Sequence, residues 1–156
     1  MATRIWSTRA NAAMTTRHLV DPDLLPLIDA FAPMELSEAT LPVIRNRLAA
    51  MAGVAPLPDI AVRTREVSIS SGEAGRLIRC LAIQPSVLPR LAPAMLHFHG
   101  GGHVIGAPEM NQVQLMQWAA ALNCLVLSVD YRLAPECPFP GPMDDAYAAL
   151  RNALLR

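Results

Sequence analysis

The sequence contains no lysine. All 13 basic residues are arginine, and 13 aspartates and glutamates balance them to a net charge of zero. A chain without excess positive charge has little electrostatic hold on a phosphate backbone, so a nucleic-acid partner is excluded. No apolar run approaches the roughly 20 residues of a membrane-crossing helix, and no membrane span is expected. Cysteine is scarce and odd in number, at Cys80, Cys124 and Cys137, with no C-x-x-C pair. That argues against a disulfide framework. It favours buried thiols in a reducing compartment, with the cytoplasm as the default location. Charged residues make up 17% of the chain against 53% hydrophobic, a balance that excludes a disordered chain. The 156 residues suffice for one domain with its own core.

What is present divides into three stretches. Residues 1–20, "MATRIWSTRANAAMTTRHLV", carry Arg4, Arg9 and Arg17 and no acid. The composition is that of a transit peptide, but without a secretory apolar centre. It reads as a flexible leader, and Met14 offers a second start. Residues 21–55 read as two helices. Asp21 and Pro22 suit an N-cap and first helical position, with Leu24, Leu27, Ile28 and Phe31 on one face and Pro26 weakening the first turn. Ser37 is a second N-cap, before an apolar face of Leu41, Ile44, Leu48 and Met51 that Gly53 ends. The proline-rich "GVAPLPD" then marks the boundary to residues 56–156.

Beyond it the period changes. Residues 60–70 alternate apolar and polar, 72–75 make a turn, and 76–85 return as a second strand. Residues 94–100 form a short apolar strand, 109–122 a helix, and 124–132 a strand buried on both faces. A last helix starts near Met143, with Met143, Tyr147, Leu150 and Leu154 on its apolar face. An antiparallel pair followed by strand–helix–strand–helix predicts an α/β fold with a parallel component.

The chemistry concentrates in "HFHGGGH", residues 97–103. His97 and His99 project to one side of an extended strand, and with His103 they make a candidate zinc set. No carboxylate closer than Glu109 is available to orient them, and three glycines are a loose frame for ligands. The other reading uses the glycines. A strand ending in Gly100, Gly101 and Gly102 brings fixed backbone N–H donors close to a ligand. This is the design that stabilises the oxyanion formed when an acyl carbonyl is attacked.

A second motif, "DYRLAPECPFPGPMDDAY" at residues 130–147, decides between them. Together with "HFHGGGH" it resembles the hormone-sensitive-lipase-like esterases of the α/β-hydrolase fold. The resemblance implies that Gly101 and Gly102 are oxyanion donors, that His99 holds the loop, and that Gly100 permits its turn. It also implies supporting roles for Asp130, Tyr131, Arg132, Glu136 and Asp144, with Arg132 paired to Glu136 or Asp144 in a brace beneath the loop. Residues 21–55 become cap helices, and 56–156 the first half of a catalytic domain. The substrate would be a small or medium acyl ester, and no cofactor is needed.

Against that family the chain lacks the G-x-S-x-G nucleophile elbow, and no histidine follows His103. No residue here is a nucleophile, and no metal is assigned. The expectation is therefore the N-terminal part of a carboxylic-ester hydrolase, inactive alone, whose triad a complementing C-terminal chain supplies. The strand at 94–99 would then be an exposed sheet edge that recruits that chain or a second copy of itself. The alternative is a non-catalytic remnant or interaction module on the same scaffold, with the histidine metal site as a variant.

Overall fold

The computed structural model describes residues 16–30, 34–54, 56–73 and 75–154. Most of the leader, Phe31 and the side chain of Leu154 lie outside the described residues. The chain separates into two compact units, residues 1–35 and 36–156.

In the first unit, 3-10 turns at Thr16–Leu19 and Pro22–Leu24 precede α1, Leu25–Ala30. Asp21 caps as expected: its carboxylate accepts the Asp23 N–H at 2.9 Å. Arg17 makes a bidentate pair with Asp29 at 2.7 and 2.8 Å. Leu24, Leu27 and Ile28 are exposed.

The second unit opens with α2, Leu41–Val54. Ser37 and Thr40 satisfy each other ahead of it. The Thr40 N–H donates to Ser37 Oγ at 3.2 Å and the Ser37 N–H to Thr40 Oγ1 at 3.0 Å. Leu41 is buried, Ile44 and Leu48 are half-buried, and Met51 is exposed. Gly53 lies inside α2 and does not end it.

Four strands follow: β1 (Val62–Ser70), β2 (Leu77–Pro85), β3 (Ala94–Phe98) and β4 (Leu125–Val129). They form one mixed sheet in the order β1-β2-β4-β3. β1 pairs antiparallel with β2, and β2 antiparallel with β4. β3 lies parallel to β4, with His97 opposite Ser128. A parallel pair needs a crossover. A 3-10 turn at Pro108–Asn111 and α3, Gln112–Leu122, provide it. Asn123, in the left-handed region at φ 48°, ends α3.

The period of two along β2 and β4 divides the core between the sheet faces. Cys80, Ala82, Leu127 and Val129 pack with Ala148 and Ala149 of α4, Gly141–Leu154. Leu81, Ile83 and Val126 pack with Leu115, Met116 and Ala119 of α3. α4 corrects the sequence reading. Met143, Tyr147 and Leu150, the expected inward face, are exposed, and Asp145, Ala148 and Ala149 are buried instead. Alanines let the helix approach the sheet, and Asp145 is drawn inward by its arginine partners.

The three cysteines are free. Cys80 is fully buried, and burial, reinforced by the nearby Asp130 charge, pushes its thiol up to about 12. Burial also raises Cys124. Cys137 is only half-buried. Because the thiolate is the reactive form, iodoacetamide at mildly alkaline pH should label Cys137 and spare Cys80 and Cys124. Equal labelling of all three by mass spectrometry would contradict this packing. Among the described residues no helix is long and apolar enough to cross a membrane.

Candidate active site

Because β3 and β4 run parallel, their carboxyl ends lie side by side. At such ends α/β sheets bind ligands. From β3 the chain enters the glycine loop at His99. From β4 it enters Asp130, Tyr131 and Arg132.

The loop is a tight curl. The Gly101 carbonyl accepts the Val104 N–H at 3.0 Å and the Ile105 N–H at 3.1 Å. Gly101 sits at φ 127°, and a Cβ there would stand 1.9 Å from the Ile105 carbonyl oxygen. Only glycine closes this turn. Gly102 and His103 continue it at φ 61° and 60°. Gly100 does not have the role expected of it: its φ is not positive, and a Cβ on it would meet nothing within 4 Å. The second demanding glycine is Gly106, which sequence reading passed over. Its φ is 111°, and a Cβ would lie 2.3 Å from His99 Nδ1. The visible signal was a fourth glycine closing "GGGHVIG".

His99 is the buried hub of the loop, 3% exposed. Its ring stacks on Tyr131 with centroids 4.2 Å apart. Nδ1 lies 2.9 Å from the Gly100 carbonyl oxygen, which can only accept, so Nδ1 carries the proton. The Tyr131 hydroxyl donates to the His99 carbonyl at 2.6 Å. The His103 ring is tilted against Tyr131, with centroids 5.6 Å apart.

His97 turns elsewhere. Its Nδ1 is 2.8 Å from Ser128 Oγ, inside β4. Burial first, and the neighbouring His99 second, hold its pKa below the ordinary histidine value. Among the described residues no three His, Cys, Asp or Glu side chains are placed to hold a metal ion.

Two arginine-centred braces hold the segment that follows β4. Arg132 reaches neither Glu136 nor Asp144, which corrects the expected pairing. Its Nε and Nη2 meet Asp145 Oδ2 and Oδ1 at 3.0 and 2.9 Å, and its backbone N–H donates to Oδ2 at 3.0 Å. Arg76 adds a bond to Oδ1 at 2.6 Å. The Asp145 side chain is 1% exposed, whereas Asp144 is exposed in the first turn of α4. Burial pushes the Asp145 pKa up, but the bonds from Arg132 and Arg76 outweigh it and hold the group below the usual carboxylate value. Asp130 joins the second brace. Arg79 Nη1 meets it at 3.0 Å, Nε meets Glu66 at 2.7 Å, and Nη2 meets Glu109. Glu136 pairs with Arg45 of α2.

A cavity of about 400 Å³ opens over the loop, lined by Gly100, Gly101, Gly102, His103, Tyr131 and Met143 among others. Among the described residues no backbone acceptor takes the Gly101 or Gly102 amide hydrogens. Two such donors on a cavity wall suit an anionic oxygen.

Residues 95–155 match a family described as the alpha/beta hydrolase fold. Esterase LipI of Mycobacterium tuberculosis is 35% identical over 133 residues, 85% of this chain and 41% of that protein. A bacterial heroin esterase superposes with a TM-score of 0.73 at 33% identity, over 87% of this chain and 43% of its own. This chain has the α/β-hydrolase fold, and it is similar to hormone-sensitive-lipase-like esterases. A hormone-sensitive lipase from a metagenome library adds to that likeness, with a TM-score of 0.68 at 30% identity over 85% of this chain and 40% of its own. The chain thus spans about two fifths of the length of these relatives.

Proposed function

We propose that the chain supplies the oxyanion loop of a carboxylic-ester hydrolase that works by serine acyl transfer, and that it forms the N-terminal part of that enzyme. The observation that carries this reading is the pair of unclaimed amides at Gly101 and Gly102 on the wall of the cavity. A serine attacks the ester carbonyl, and the carbonyl oxygen becomes an oxyanion that these N–H groups stabilise. The tetrahedral species collapses, the alcohol leaves, and water then releases the acid from the acyl-enzyme. Small or medium acyl esters are the proposed substrates.

The serine, acid and late histidine come from a complementing segment, because these 156 residues include no G-x-S-x-G and no histidine after His103. The proposed docking edge is β3. Among the described residues it pairs only with β4, and Phe98 at its end is 42% exposed. An open strand edge is a template for another strand, whether from that segment or from a second copy.

The chain alone should hydrolyse no p-nitrophenyl ester measurably. Co-expression with the part of esterase LipI outside the matched region should restore hydrolysis. Hydrolysis by the 156-residue chain alone, or none in the co-expressed pair despite co-purification, would overturn the proposal.

A further inference from the structure

Arg45 is in the second turn of α2, 59 positions before Val104 and 91 before Glu136. Its guanidinium nevertheless joins both segments of the site. Nε donates to the Val104 carbonyl at 2.9 Å, and Nη2 donates to the Ala134 carbonyl at 2.7 Å. Nη1 and Nη2 also meet Glu136 Oε1 and Oε2 at 2.7 and 3.1 Å. The arginine side chain is 24% exposed and the glutamate 65%. The Ala134 N–H donates to the His103 carbonyl at 2.8 Å. The glycine curl is therefore tied at both ends of residues 103–104, once to the 134–136 turn directly and once through Arg45.

We propose that Arg45 is a positioning residue that sets the conformation of the glycine loop, with Glu136 holding its guanidinium plane. In this arrangement α2 clamps the loop from outside the sheet. Only the planar fork of an arginine serves two carbonyls and a carboxylate together; a lysine ammonium is a compact point donor on a flexible stem. The consequence for ester hydrolysis rests on the oxyanion reading given above. The clamp itself does not.

The test is residue-resolved amide hydrogen exchange on the full 156-residue chain. In Arg45→Met the Val104, Ile105 and Ala134 amides, which hold the curl, should exchange about tenfold faster or more, while Ile83 and Val126 in the sheet stay protected. Arg45→Lys and Glu136→Gln should fall between, and they carry the test if Arg45→Met does not fold. Equal exchange at the three loop amides in parent and variants overturns the clamp. So does a loss shared in equal measure by the sheet, which would mean that Arg45 serves global stability only. In the co-expressed pair, Arg45→Met should lower kcat with KM nearly unchanged. A co-expressed parent without activity would sink the esterase reading and leave the exchange result to decide the clamp.

Discussion

Arg132→Met should destabilise the chain by about 3–5 kcal/mol at neutral pH, because it strands a buried carboxylate. Asp145 is almost wholly buried, and Arg132 supplies three of the four hydrogen bonds it receives. Two of those come from the side chain and vanish in the variant. Arg76 and the backbone N–H of residue 132 remain, so the charge keeps partial support. The pH dependence has a defined sign. In the parent, the folded Asp145 pKa is lowered, so its contribution is full above the unfolded value, about 3.9, and is lost as pH falls through the lowered folded value. In Arg132→Met, burial dominates and the folded pKa rises. The carboxylate then destabilises at neutral pH and is relieved by protonation as pH falls through that raised value. The stability gap between parent and variant should therefore narrow from neutral to mildly acidic pH. Urea unfolding of both proteins at the two conditions measures it. A gap that is small at neutral pH, or that does not change with pH, rules this account out.

That brace also marks where sequence reading stopped. The strands were legible because their period of two and the apolar run at 124–132 have no competing interpretation. The glycine loop was legible because few chemistries use three glycines after an apolar strand. Asp145 was not legible. "MDDAY" offers two adjacent acids, and helical periodicity favoured the large apolar residues Met143, Tyr147 and Leu150 as the inward face. The buried face is instead an acid and two alanines, and its cause is three-dimensional: Arg76, 69 positions away, and Arg132 converge on it. Arg45 escaped for the same reason. A single arginine on a helix reads as a solvated charge until the fold brings Val104, Ala134 and Glu136 to it. Gly100 errs in the opposite direction. It belongs to the triplet by composition, yet the turn places its strain on Gly101 and Gly106. Sequence spacing locates a loop, and backbone geometry decides which of its residues are irreplaceable.

The glycine distinction has the largest expected effect on catalysis. In the co-expressed pair, Gly101→Ala should lower kcat by at least roughly 10²–10³, the amount that one lost oxyanion donor costs, while KM changes little. A Cβ at 1.9 Å from the Ile105 carbonyl oxygen cannot be absorbed, because the obstacle is backbone, and the φ of 127° is strained for any L side chain. The curl must open, and the amides of residues 101 and 102 leave their places together. The loss falls on kcat because oxyanion donors bind charge that exists only after the carbonyl is attacked; the neutral ester gains little from them. Gly100→Ala is the matched control. The same methyl group, one residue earlier, meets open space at an ordinary φ, so activity should stay within a few-fold of the parent. If both variants lose activity equally, the methyl is acting through bulk at the cavity rather than through the curl. If Gly101→Ala keeps full kcat, the amides of this loop do not hold the oxyanion, and the role of the glycines has to be sought in folding alone.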